Sequence, residues 1–260
     1  MSETYLLGTR GSALALTQST LAAEHVTAAS HAHEGTTGVE FELVTVKTEG
    51  DTLAGPLATL GGTGVFAAAL RQRLLAGNNG EGVDMAVHSL KDLPSAPCPG
   101  LVVAATLERE DPRDALVARD QLTLDTLPTG ARVGTGSPRR AAQLRLLRPD
   151  LEIVDIRGNV KGLEEHGARQ VMVQGSAETD RQAHTGVGAE TAGDCDAVVL
   201  AVSGLKRLNK EDVITEYLDP TRMLPAPGQG ALAIEVRESE FANPDIASLT
   251  ETEISRPVRS

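Results

Sequence analysis

The chain has 260 residues, 40% of them hydrophobic and 2% aromatic, long enough to bury the core of one large or two medium domains. Its 24 lysines and arginines face 36 aspartates and glutamates, so a net charge of −12 repels nucleic-acid phosphate and anionic lipid and confines any anion site to a local patch. No apolar run reaches a membrane span, the opening MSETYLLGTR lacks a basic-then-apolar leader, and Cys98 and Cys195 are too few and too far apart for a disulfide framework or a CxxC motif, so a cytoplasmic protein with free thiols is expected.

In chain order, hydrophobic periodicity predicts a strand over 5–8, a helix over 13–29, a strand over 40–47, a helix over 65–76, and strands over 83–88 and 101–107. A second series follows, with strands over 115–117 and 132–134, a helix over 138–147, and strands over 151–156, 197–202 and 231–236. The alternation reads as α/β in two lobes. Residues 164–194, rich in Gly, Ala, Thr and charge, carry no sustained apolar period and are expected to form a disordered insertion. No internal repeat is visible.

Only five of the 24 cations are lysine, at positions 47, 91, 161, 206 and 210. An acidic, lysine-poor surface is halophile-like, although high GC content gives the same bias. The arginines fall at strand-to-helix junctions. In GTGSPRR at 134–140, Ser137 suits an N-cap and Pro138 the first helical position, while Arg139 and Arg140 oppose the helix dipole. Two cations at a positive helix end either await an anion or project into solvent. GTRGSA at 8–13 has the same grammar, with Arg10 in the turn and Ser12 as N-cap. Arg157 follows an apolar strand, at the edge where α/β sheets bind ligands. Together these arginines match a polycarboxylate, because guanidinium forks grip carboxylates at two points.

DMAVHSLKDLP at 84–94 ends a strand in His88, Ser89, Leu90, Lys91 and Asp92. Asp92 beside an ammonium is either an acid–base carboxylate or part of a solvated turn. His31 and His33 have metal-like spacing but no second pair, so no metal is expected.

Seven stretches carry a resemblance, in order: TRGSALALTQS at 9–19, DMAVHSLKDLP at 84–94, EREDPRDALVA at 108–118, VGTGSPRRAAQL at 133–144, DIRGNV at 155–160, DAVVLAVSGLKRL at 196–208 and LPAPGQGALAIEVR at 224–237. Over roughly residues 5–240 the chain resembles the hydroxymethylbilane synthase family, also called porphobilinogen deaminase. The resemblance implies two lobes like those of type 2 periplasmic binding proteins with a cleft between them, over 1–106 with 225–240 and over 107–224, and a small α+β third domain of which 241–260 is a stub. It implies a monomeric transferase that joins four porphobilinogen molecules head to tail with loss of ammonia on a dipyrromethane primer, releasing hydroxymethylbilane for tetrapyrrole synthesis. Asp92 then corresponds to the catalytic carboxylate. Arg10, Ser12, Ser89, Lys91, Ser137, Arg139, Arg140, Arg157, Gln229 and Gly230 correspond to substrate and cofactor contacts.

Three departures stand against the pattern. The family tethers dipyrromethane to a cysteine in a Gly-Gly-Cys loop of the third domain, whereas this sequence stops at ETEISRPVRS and neither Cys98 nor Cys195 matches that position. After DIRGNV the text reads Lys161-Gly162-Leu163, without the further arginine expected there. Across 57–70, LATLGGTGVFAAAL keeps Phe66 but lacks the lysines and glutamate of relatives. The alternative function is therefore an inactive or truncated homologue that binds polycarboxylates without turnover.

Overall fold

The computed structural model describes residues 3–32, 39–47, 64–77, 82–156 and 195–241. Arg157, residues 57–63, the insertion at 164–194 and the stretch after 241 lie outside the described residues. Within them the chain runs β1 (Glu3–Thr9), α1 (Ala13–Ala32), β2 (Val39–Thr45), α2 (Val65–Ala76), β3 (Met85–Ser89), β4 (Leu101–Thr106), β5 (Asp114–Ala118), β6 (Arg132–Gly134), α3 (Pro138–Leu147), β7 (Glu152–Val154), β8 (Ala197–Ala201), α4 (Val202–Arg207), β9 (Glu216–Tyr217) and β10 (Leu232–Arg237).

These strands form two sheets with one plan. The first has the order β2-β1-β3-β10-β4 and the second β7-β6-β8-β5-β9. In the first, β1 pairs in parallel with β2 and β3, while β10 runs antiparallel between β3 and β4. In the second, β6 pairs in parallel with β7 and β8, while β5 runs antiparallel between β8 and β9. The repeat invisible in the sequence is thus present in the topology, because sheet order depends on burial pattern rather than on residue identity. The antiparallel inner strand of each sheet is buried throughout: all of Asp114–Ala118 and all of Leu232–Arg237. Near-continuous apolar runs such as DALVA and LAIEVR are what a strand covered on both faces requires.

Alternation of side chains sends successive residues to opposite faces. On the first sheet, Leu7, Met85 and Ile234 pack with Ala22 and Val26 of α1, whereas Ala86 packs on the other side with Leu70 and Leu74 of α2. On the second, Leu116, Val133 and Val199 pack with Leu144 of α3, and Ala115, Val117 and Val198 with Val202 and Leu205 of α4. Each sheet is therefore enclosed between helices.

The described chain divides into two compact units, one ending at Pro112 and resuming at Ala226, the other running from Arg113 to Pro225. The first expected boundary, at 106/107, falls six residues early. Residues 107–112 stay with the first unit because the Leu107 and Glu110 amides donate to the Leu232 and Gly230 carbonyls, at 3.0 and 3.2 Å. The strand expected over 197–202 ends at Ala201, and Val202 opens α4 instead, its amide donating to the Arg113 carbonyl. No helix among the described residues is long and apolar enough to cross a membrane.

Leu116, fully buried at the centre of β5, reports on the second core. Leu116→Ala should destabilise the protein by about 2–5 kcal/mol, through lost transfer energy and the cavity left behind, and urea unfolding measures the change.

Candidate functional site

In the first unit the site is built where two strands end. At the end of β1, Thr9 is buried; its hydroxyl donates to the Ala15 carbonyl at 3.2 Å and accepts from Ser19 Oγ at 2.7 Å, tying the strand to α1. Ser12 Oγ accepts from the Ala15 amide at 3.2 Å, the expected cap, and Arg10 is held in the turn between. At the end of β3, Ser89 leads into a single 3-10 turn, Leu90–Asp92. The Leu90 amide donates to the Ala231 carbonyl at 3.0 Å, which fixes that turn against the segment entering β10.

Arg10, Gln18, His88, Ser89 and Asp92 line one small depression open to solvent, with Ala67 and Leu70 of α2 also in its lining. Three of the five, Arg10, Ser89 and Asp92, are residues singled out from the sequence. Ser89 Oγ donates to Gln18 Oε1 at 3.2 Å, so a residue passed over in the α1 run belongs to the site. Lys91 Nζ donates to Gln229 Oε1 at 3.3 Å. A guanidinium, a hydroxyl and a carboxylate around one opening can hold an anionic ligand and stabilise positive charge developing on it.

Beneath this depression lies a charged cluster the sequence reading missed. Glu235, buried on β10, takes both prongs of Arg71 from α2, at 2.8–3.1 Å, and lies 3.2 Å from His88 Nε2. Burial pushes the Glu235 carboxyl up, but His88 and Arg71 outweigh it and hold the group below the usual carboxylate range. The available signal was a lone acid inside the apolar run LAIEVR.

Gln229 and Gly230, expected among ligand contacts, are packed against the backbone of the first unit. Gln229 is 1% exposed. Gly230 has φ 94, and a Cβ there would stand 2.2 Å from the Glu110 carbonyl oxygen, so glycine is required on both counts.

In the second unit, Ser137 caps α3 as expected, with Arg140 and Arg139 in its first turn. The anion that their placement calls for is internal. Asp114, fully buried at the start of β5, accepts Arg140 Nε and Nη2 on Oδ1 at 3.1 and 2.7 Å and Arg139 Nη2 on Oδ2 at 2.7 Å. Arg140 Nη1 donates to the Val199 carbonyl at 3.1 Å, so each nitrogen of that guanidinium makes a hydrogen bond within the unit. Arg139 Nη1 donates to the Leu224 carbonyl, to which Gln143 Nε2 also donates, at 3.1 Å. Burial raises the Asp114 carboxyl, yet Arg140 and Arg139 together bring it below its ordinary value. Ser137, Arg139 and Arg140 are brought together; Arg157 lies outside the described residues. Among the described residues no group of three or more His, Cys, Asp or Glu side chains is placed to hold a metal ion; the His31 and His33 side chains are not among those described.

Residues 6–243 match the family described as porphobilinogen deaminase, dipyromethane cofactor binding domain. The chain is 56% identical over 234 residues to a porphobilinogen deaminase of Micrococcus luteus, covering 90% of this chain and 57% of the relative. It is 50% identical over 238 residues to that of Thermobifida fusca, covering 92% and 64%. The chain thus spans about three-fifths of the length of these curated relatives. Among solved structures it is similar to the methionine binding protein MetQ, with TM-score 0.48, 12% identity, and 95% and 89% of the two chains covered. It is also similar to a nutrient binding protein from Burkholderia cenocepacia bound to methionine, with TM-score 0.48, 12% identity, and 95% and 90% covered.

Because the folded Asp114 carboxyl lies below its unfolded value, its contribution is complete above the unfolded value of about 4 and is lost as pH falls through the folded one. Asp114→Asn should cost about 3–5 kcal/mol at neutral pH, since it leaves two guanidinium groups without their carboxylate, and should flatten the acid limb of stability. Urea unfolding of both proteins from pH 7 down to pH 3 checks the amount and the sign.

Proposed function

The chain belongs to the porphobilinogen deaminase family, and we propose that it catalyses the reaction of that family: four porphobilinogen molecules are joined head to tail with loss of ammonia, and hydroxymethylbilane is released. The observation that carries this reading is the meeting of Asp92 with Arg10 and Ser89 around one depression, with Lys91 in the same turn as Asp92.

Porphobilinogen carries an acetate and a propionate, so each unit presents two carboxylates. Arg10 binds one of them, with the two-pronged geometry that suits a guanidinium. Lys91 attracts the other as a point charge, and the Ser12 hydroxyl supplies a neutral donor. As ammonia departs from the aminomethyl carbon, positive charge develops on the substrate pyrrole. The Asp92 carboxylate stabilises that charge and accepts the proton that the growing chain loses when the new carbon–carbon bond forms. Such stabilisation acts on the transition state more than on the bound substrate, which is the condition for accelerating a step.

The same donor set suits dipyrromethane, whose two pyrroles carry the same acetate and propionate groups. Dipyrromethane, when bound, supplies the pyrrole end to which the first substrate unit is joined. In the second unit, Arg157 and the exposed side of Arg139 are proposed as contacts for the carboxylates of a longer chain, whereas Arg140 serves Asp114.

The test is incubation of purified protein with porphobilinogen, following ammonia release and the uroporphyrin formed from hydroxymethylbilane. Asp92→Asn keeps the side chain's shape and removes its charge, so turnover should fall about 10²–10⁴-fold with the unfolding midpoint unchanged. Equal turnover by variant and wild type would remove Asp92 from the chemistry. Binding of pyrrole carboxylates by the wild type without any ammonia release would favour a binding module.

A further inference from the structure

Gln229 is buried at the meeting of two crossing segments, and the structure fixes which way its amide points. Its Nε2 donates to the Pro112 carbonyl at 2.7 Å. That leaves Oε1 toward Lys91 Nζ, 3.3 Å away. Turning the amide over would set carbonyl oxygen against carbonyl oxygen and an NH₂ group against an ammonium, losing both contacts at once. The main chain is equally constrained: the Gln229 amide donates to the Ala226 carbonyl at 3.0 Å, and its own carbonyl accepts Arg109 Nε at 2.9 Å. On either side stand Gly228 and Gly230 at φ 70 and 94, and the Leu90 side chain lies against Gly228, 2.9 Å from where a Cβ would be. A residue so held, 1% exposed, has no surface left for a ligand.

Lys91 has the opposite character. Its four-carbon stem is flexible and its ammonium is a compact point charge, so the position of that charge is set by whatever accepts its protons. We propose that Gln229 is a positioning residue for Lys91: the amide oxygen, aimed by the Pro112 carbonyl, holds the ammonium where it meets a substrate carboxylate. This rests on the reading of Lys91 and Asp92 as site groups. It also accounts for a glutamine rather than a glutamate at this position. A carboxylate would accept from Lys91 but present no donor to Pro112, and it would neutralise the charge the ligand needs.

Two measurements test the assignment. First, the rate at which trinitrobenzenesulfonate labels Lys91, mapped by peptide mass spectrometry against the other lysines, is compared in wild type, Gln229→Met and Gln229→Glu. Loss of the acceptor in Gln229→Met should raise labelling of Lys91 several-fold, while Gln229→Glu, which retains an acceptor, should keep it at or below the wild-type rate. Unchanged labelling in Gln229→Met, or equal increases in both variants, would overturn the proposal. If Gln229→Met does not fold, the Gln229→Glu comparison decides alone, and faster labelling in it counts against the proposal. Second, in a cycle with Lys91→Met, Gln229→Met should raise the KM for porphobilinogen about tenfold with kcat little changed, the scale of one hydrogen bond to a charged group, and should have no further effect when Lys91 is already gone. Equal effects in both backgrounds would mean that Gln229 serves the fold only. Absence of turnover by the wild type would sink the catalytic reading, and the labelling experiment would still decide whether Gln229 controls Lys91.

Discussion

A carboxylate buried in a sheet must be met by cations, and both sheets of this protein are organised around that requirement. The antiparallel strand inserted into each sheet carries one such group: Asp114 on β5 and Glu235 on β10. Each draws a guanidinium from a helix above its sheet, Arg140 and Arg139 from α3 in one case and Arg71 from α2 in the other. An acid removed from water without a partner would be neutralised or would unfold its surroundings. With a forked partner it instead sets the register of helix on sheet more sharply than apolar packing does, because two parallel hydrogen bonds tolerate little sliding.

That constraint decides which charges remain for a ligand. Asp114 accepts two nitrogens of Arg140 on one oxygen and Arg139 on the other, so the cation pair that opens α3 carries one positive charge in excess and not two. In the first unit, Glu235 absorbs Arg71 and contacts His88 from below, and the depression above is left with Arg10, Ser89 and Asp92 at its lining. His88, which lines the depression, is thus tied to an internal ion cluster, while Arg10, Ser89 and Asp92 line the same depression. Rigid support under a few outward polar groups is the arrangement that preorganised electrostatics needs.

Much of this was legible in the sequence where the cause is local. The helices Val65–Ala76 and Pro138–Leu147 and the strand Arg132–Gly134 fall where periodicity and capping put them, and Ser12 and Ser137 cap their helices as their neighbours require. The 3-10 turn at Leu90–Asp92, the six-residue α4 and the two-residue β9 were not legible, since none is long enough to show a period. Remote partners were equally hidden. Nothing near Arg139 and Arg140 announces Asp114, some 25 residues upstream, so their internal partner could not be read from the sequence. Gln18 gave no signal because one polar residue in a helix is ordinary, and only its approach to Ser89 across the fold makes it part of the site.

The same chemistry bears on the shortage of lysine. Arg71, Arg140, Arg148 and Arg237 each place two nitrogens on neighbouring carboxylates, and Arg237 also reaches the Leu74 and Val83 carbonyls at 2.7 and 2.6 Å. An ammonium lacks this planar fork, so lysine in place of Arg71 or Arg140 would leave contacts of the buried Glu235 or Asp114 unmade. Part of the arginine bias is therefore a demand of the interior, independent of any adaptation of the surface to salt. Lys91 stands where the demand is reversed. The Gln229 amide oxygen accepts from it, and a compact charge on a flexible stem can meet a ligand carboxylate from that contact without the fixed plane a guanidinium would impose.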